Sequence, residues 1–440
     1  MPSLTSFLHR HRRKFATAIG VAVTSYYAYR QVKLKFFEIG SQLSANLTSR
    51  ENLRRRFEQN QQDASYTVAA LLSSITDPIV CELPVEEVTD ELQAKRGPHS
   101  QSSDAPSQSG GDDTNAETTS IASSSTITII DVDTEAQQPK RTKKKLWNDL
   151  KIMAITRAVS LVYAIALLIF FTRLQLNMLG RQNYVKSVKA MTESYDHAAD
   201  PDQRASEDQV IQNEVNRRFL TFSWWLLTRG WVRIVSNVRE ATETVFESVT
   251  PRTELGFDDL GGLIKRVREL VDAKNNNYVE ILLPTNKEGE EFVLSNNPCS
   301  EQEFQSSSTK EQAIEPLLRA LLDESTDLIE SPNAKGVISG LVTQGFKLLL
   351  NSLQIKYFFL VYGGVQDEHD SRQKIVEFEE EKKVRLANIL AGIVQQSHEM
   401  VVVNENANPY LSAMNCLPEL RNFSAIVYSN FASDWKSMTD

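Results

Sequence analysis

LWNDLKIMAITRAVSLVYAIALLIFFTRLQLNMLG, from Leu146 to Gly180, decides the fold. No proline interrupts it, good helix formers fill it, and Gly180 stands where a C-cap glycine belongs. The spacing predicts one long helix. Its middle, Ala158 to Phe171, is apolar nearly all round for 14 residues. Such a run rises only about 21 Å, against a hydrocarbon core of about 30 Å. Arg157 and Arg173 also bracket it. A fully apolar helix of this kind is expected to be enclosed by other helices, not to cross a membrane.

The flanking sequence supplies those neighbours. Val215 to Val249 reads as a second long helix, with Leu220, Trp224, Leu227, Trp231, Ile234, Val238, Val245 and Val249 on one face. Trp224 and Trp231 are expected as core anchors. Tyr195 to Glu207 is polar and reads as loop. Glu311–Ile329, Val337–Leu353, Ile375–Val402 and Leu417–Phe431 repeat the helical spacing. Ser331-Pro332-Asn333, Gly363-Gly364 and Asn408-Pro409 separate them, and Gly261-Gly262 reads as another turn. Alternation between Asn276 and Val293 allows a small hairpin. Upstream, Phe36–Gln62 and Tyr66–Ile75 are helical in pattern, Pro84 interrupts, and Val85–Lys95 forms a short helix. The expected fold class is all-α, a bundle of long helices.

Two segments stand apart. Arg10, Arg12, Arg13 and Lys14 form a basic cluster that runs into the uncharged stretch Phe15–Tyr29. Phe15, Ile19, Val21 and Val23 supply its apolar face. Tyr26, Tyr27 and Tyr29 end it as aromatic residues do at a membrane–water interface. With snorkelling from Arg30 and Lys33, residues 15–33 are expected to be an uncleaved anchor. Residues 1–14 form a short basic segment before it, and 34–440 a helical domain. Within that domain, 97–142 is a Ser/Thr-rich insert whose composition cannot offset the entropy of ordering.

Composition excludes several functions. A net charge of −9 argues against nucleic-acid binding. Cys81, Cys299 and Cys416 are odd in number and far apart, which fits a reducing compartment and no disulfide framework. Neither a phosphate loop nor a dinucleotide fingerprint is present. Asp367-Glu368-His369-Asp370 and Glu377–Glu381 with Lys382-Lys383 read as solvated charge runs. No enzyme activity, metal or cofactor is expected.

The candidate site opens the central helix. Lys143, Lys144 and Lys145 precede Leu146 although cations at a helix N-terminus oppose its dipole. Helix stability therefore does not account for them. Trp147, Leu150 and Ala154 share a face, with Lys143 just upstream on that side. An aromatic–aliphatic patch with a basic rim suits an amphipathic partner helix with acidic flanks. Trp147 packing beneath the end of the bundle is an equal alternative from the residues alone.

The basic N-terminus, Leu146-Trp147-Asn148-Asp149-Leu150-Lys151-Ile152 and Arg173-Leu174-Gln175-Leu176-Asn177 together resemble the peroxin-3 family. Leu328-Ile329-Glu330-Ser331-Pro332, Gln344-Gly345-Phe346 and the closing Phe423-Ser424-Ala425-Ile426-Val427-Tyr428 add to the likeness. The resemblance implies a single-pass peroxisomal membrane protein, reached directly or through the endoplasmic reticulum, with a helical cytosolic bulk. It also implies docking of the N-terminal helix of peroxin-19, the receptor for new peroxisomal membrane proteins. The family's docking residues fall on Lys143, Trp147 and Leu150, and the far edge of the groove near Tyr184 and Val185. The other partners implied are peroxisomal membrane lipids and, in fungal relatives, inheritance and pexophagy adaptors. A membrane tether serving chiefly those adaptors is the alternative function.

Overall fold

The computed structural model describes residues 50–95, 142–193, 202–275, 277–295, 308–358, 382–404 and 407–431. The anchor, its basic cluster, the insert up to residue 141, Gly363-Gly364 and the 367–370 and 377–381 runs lie outside them. The described chain is all-α apart from one pair of two-residue strands. The helices are α1 (50–82), α2 (Val85–Ala94), α3 (Lys143–Glu193), α4 (Asp202–Thr221), α5 (Ser223–Trp225) and α6 (Trp231–Phe246). They continue as α7 (Phe257–Lys274), α8 (Val279–Leu282), α9 (Lys287–Ser295), α10 (Ser308–Glu330) and α11 (Pro332–Leu353). The last are α12 (Leu386–Val401), α13 (Pro409–Asn415) and α14 (Pro418–Ser429). Strands β1 (Glu254–Leu255) and β2 (Val384–Arg385) pair antiparallel, Glu254 opposite Arg385 and Leu255 opposite Val384.

Two compact units emerge. The larger takes the described parts of 68–171 and 211–420, and its axis is the first half of α3. Every residue from Ala158 to Phe171 is buried. Two helices among the described residues are long and apolar enough to cross a membrane, but the apolar window of α3 is 89% buried in the protein itself. It is therefore a core helix, enclosed as its composition requires.

The neighbours of α3 are fixed by a few specific contacts. Tyr163 donates to Asp272 of α7 at 2.5 Å and meets Phe346 of α11 edge-on, with ring centroids 6.1 Å apart. Gly345 permits that approach, because a Cβ there would stand 2.7 Å from Val162 Cγ1. Ser331 caps α11 by accepting from Ala334 N–H, and Pro332 occupies the first helical position. Asn408 accepts from Leu411 N–H and donates to the carbonyls of Met400 and Val402, which closes α12 against α13.

The smaller unit takes the described parts of 1–67, 172–210 and 421–440. Here the R-x-Q-L-N stretch forms a buried polar clamp. Arg173 donates to Gln61 and Ser65 of α1, and Asn177 Oδ1 accepts from both Asn60 and Gln61. Phe57 and Tyr428 pack edge-on at 5.4 Å.

Several sequence expectations are corrected. Gly180 does not end its helix, since α3 continues to Glu193. Its small size serves packing instead, because a Cβ would stand 2.8 Å from Tyr428 and 3.0 Å from Asn60. Trp224 is not a core anchor but 42% exposed, and Leu220 is 38% exposed. The cause is a π-helical turn at Leu226–Gly230. Its extra residue slips the inward face by one position, so Val215, Phe219, Phe222 and Leu226 are buried upstream while Ile234 and Val238 are buried downstream. Trp231 is half-buried.

The hairpin at 276–293 is replaced by α8 and α9. Asn277 and Asn286 accept from the Val279 and Gly289 N–H groups and start helices locally. Gly261-Gly262 lies inside α7, whose buried stripe Leu260, Ile264, Val267 and Val271 carries the pair on its outer side. The expected loop at 195–207 is helical from Asp202, since polarity alone does not separate a solvated helix from a loop. In the expected helix at 375–402, the described residues 382–385 are not helical.

Candidate docking surface

Thr142 starts α3, its hydroxyl accepting from Lys145 N–H and its carbonyl from Leu146 N–H. Lys143, Lys144 and Lys145 all face solvent. The dipole of α3 disfavours them there, and no ion pair of theirs occurs among the described residues.

Helical spacing then sorts the next two turns. Leu146 and Ala154 are fully buried and Leu150 is 7% exposed, so they form the inward stripe. Trp147 lies at the border of that stripe and is half-buried. Leu150 lies about one turn further along the inward stripe, and Ala154 is closed to any partner in this conformation.

Lys151 was not legible as a functional residue, yet it positions this surface. Its side chain is buried and its ammonium donates to the carbonyls of Phe246, at 2.7 Å, and Val249, at 2.8 Å. Phe246 ends α6 and Val249 lies three residues beyond it, where the dipole favours a cation. Burial lowers the Lys151 pKa. The available signal was a lone lysine between Leu150 and Ile152 at the edge of an apolar stripe. Nearly two turns further, the buried Arg157 forks onto the Glu86 carboxylate, with both bonds at 2.8 Å. That bond holds Glu86 below the ordinary carboxylate range in spite of its partial burial, with a smaller contribution from His398 at 3.2 Å.

Tyr184 and Val185 belong to the smaller unit. The Tyr184 ring stands 5.6 Å from Phe431 with the Arg56 guanidinium over it at 5.7 Å, and Val185 is 3% exposed. Among the described residues, no group of three His, Cys, Asp or Glu side chains could hold a metal ion.

Comparison with known proteins finds relatives along nearly the whole sequence. The sequence profile of the peroxin-3 family matches residues 6–430. The peroxisomal biogenesis factor 3 of Yarrowia lipolytica is 40% identical, covering 98% of this chain and 99% of its own. The peroxisomal membrane protein PEX3 of Komagataella phaffii is 27% identical over 96% and 98%. The Saccharomyces cerevisiae biogenesis factor is 24% identical over 97% and 96%. A profile match across nearly every residue, together with 40% identity over full length, places this chain in the peroxin-3 family.

Proposed function

We propose that this chain is a peroxisomal membrane docking factor for peroxin-19, and so serves insertion of peroxisomal membrane proteins. The supporting observation is the start of α3, where three exposed lysines flank a tryptophan that is only half-buried. Lysines that do nothing for their own helix are best explained by an acidic partner. Residues 15–33 would hold the protein in the peroxisomal membrane, with the helical bulk in the cytosol.

In this reading an amphipathic helix of peroxin-19 lays an apolar side chain on Trp147. Leu150 keeps the indole from sinking into the core, and Lys143 draws acidic residues of the incoming helix. Lys151 and Arg157 act beneath, fixing the orientation of α3 on α6 and α2. Ala154 and Val185 are too enclosed to take part, and Tyr184 is engaged within its own unit.

The test is site-specific photocrosslinking on the full-length protein in neutral detergent micelles. A photoreactive residue at position 143 should capture the N-terminal helix of peroxin-19, and one at Glu419, on α14, should not. Capture at both positions or at neither contradicts the proposal.

A further inference from the structure

A second surface lies on the opposite side of α3. The end of α1, α2, α3 and α6 enclose an open cleft of about 910 Å³. Its α3 wall is Asn148, Asp149, Ile152 and Met153, about 100–160° round the helix from Trp147, with Met153 coming back beside Leu146. Ile152 and Met153 are half-buried and leave apolar surface in the wall.

The cleft is strongly acidic. Glu82 pairs with Arg239 at 3.6 Å and Glu91 with Lys95 at 2.9 Å. Glu87, Asp149, Glu243 and Glu247 also line it, and among the described residues none of these four has a cationic partner. The one buried cation of the wall, Lys151, is taken up by the carbonyls of Phe246 and Val249. Four unpaired like charges facing one space repel each other and draw in positive charge.

The spacing selects the kind of cation. These carboxylates do not gather into a group that could hold a metal ion, so the charge must arrive spread over a length of ligand. A simple polyamine would satisfy it but leave Ile152 and Met153 uncovered. A helix with lysine or arginine on its flanks and an apolar stripe between them covers both. We infer that this cleft docks a basic amphipathic helix of a partner protein. It has the opposite charge preference to the Trp147 surface, on the opposite face of α3, and so would accommodate a different partner. The inference does not rest on the peroxin-19 reading.

The probe is a fluorescent synthetic helix with lysine flanks and a leucine stripe, titrated by anisotropy into the full-length chain in neutral micelles. Partition of the peptide into micelles is common to all variants, so differences between variants report the protein. Glu87→Gln/Glu243→Gln/Glu247→Gln should weaken binding at least about tenfold. The control Glu288→Gln/Glu291→Gln/Glu330→Gln, with the same change of net charge elsewhere, should stay within about twofold, as should Trp147→Ala. Circular dichroism confirms the fold of each. Equal weakening by both triple variants, no weakening by the cleft triple, loss of binding with Trp147→Ala, or equal binding of a glutamate-flanked peptide would each overturn the assignment.

Discussion

Lys151 donates to the carbonyl oxygen of Phe246 at 2.7 Å, and this joins the third turn of α3 to the last turn of α6. The link carries the surface above it. If α3 rolled on α6, Trp147 would turn into the bundle or wholly out of it. Replacing Lys151 with Met keeps the stem but removes the donor to the Val249 carbonyl and leaves the Phe246 carbonyl with only the Val249 N–H, at 3.2 Å. The expected cost is about 1–3 kcal/mol of stability, read as a lower melting temperature of the full-length protein. An unchanged melting temperature would mean that water replaces the ammonium freely.

Glu86 predicts a pH dependence. Its carboxyl lies below the ordinary value of 4.5 because Arg157 donates to its charged form. For a lowered carboxylate, the stabilisation is complete above the unfolded value and is lost as pH falls through the folded one. Glu86→Gln should therefore melt below the parent protein at pH 6, by roughly 2 kcal/mol, since it leaves the buried Arg157 uncompensated. This is the low end for a buried pair because Glu86 itself is half exposed. The gap should persist to about pH 4.5 and narrow below it. A gap that widens on acidification would contradict the assignment.

Two glycines should respond in opposite directions to alanine. At Gly230, the end of the π-helical turn, a Cβ would fall on the Ile281 backbone carbonyl. Backbone cannot step aside as a side chain can, so Gly230→Ala should destabilise by about 1–3 kcal/mol or more. At Gly262, inside α7, a Cβ would meet nothing within 4 Å. There alanine should stabilise by about 0.5–1 kcal/mol through helix propensity. Thermal melts of the two variants check both.

The sequence carried the helical class, the enclosed central helix and a few boundaries, such as the end of α11, the start of α2 and the end of α10, the last two marked by the local signals Pro84 and Ser331-Pro332. It could not carry the π-helical turn. One inserted residue leaves the apolar spacing of Leu220 and Trp224 intact on paper while rotating both outward. Gly180 misled in the same way, since a glycine that ends a helix and one that admits Tyr428 look alike in sequence. At the candidate surface, Lys143 and Trp147 were visible as residue types out of place. The anchoring of Lys151 depends on the Phe246 carbonyl, 95 residues later in the chain, and only the fold brings the two together.

The lysines predict a salt-sensitive encounter. Lys143→Ser/Lys144→Ser/Lys145→Ser should slow association of the peroxin-19 helix by about tenfold at low salt, and flatten its dependence on ionic strength. Dissociation should change much less. Stopped-flow measurements at two salt concentrations separate the rates. An effect confined to dissociation would mean that the lysines make close contacts and do not act by steering.

The central claim is most directly tested by calorimetric titration of the N-terminal helix of peroxin-19 into the full-length protein, with and without Trp147→Ala. The parent protein should bind, and the variant should lose about 2–4 kcal/mol of binding free energy while keeping its helical content and melting temperature. Undiminished binding by Trp147→Ala, or no binding by the parent protein, would contradict the account.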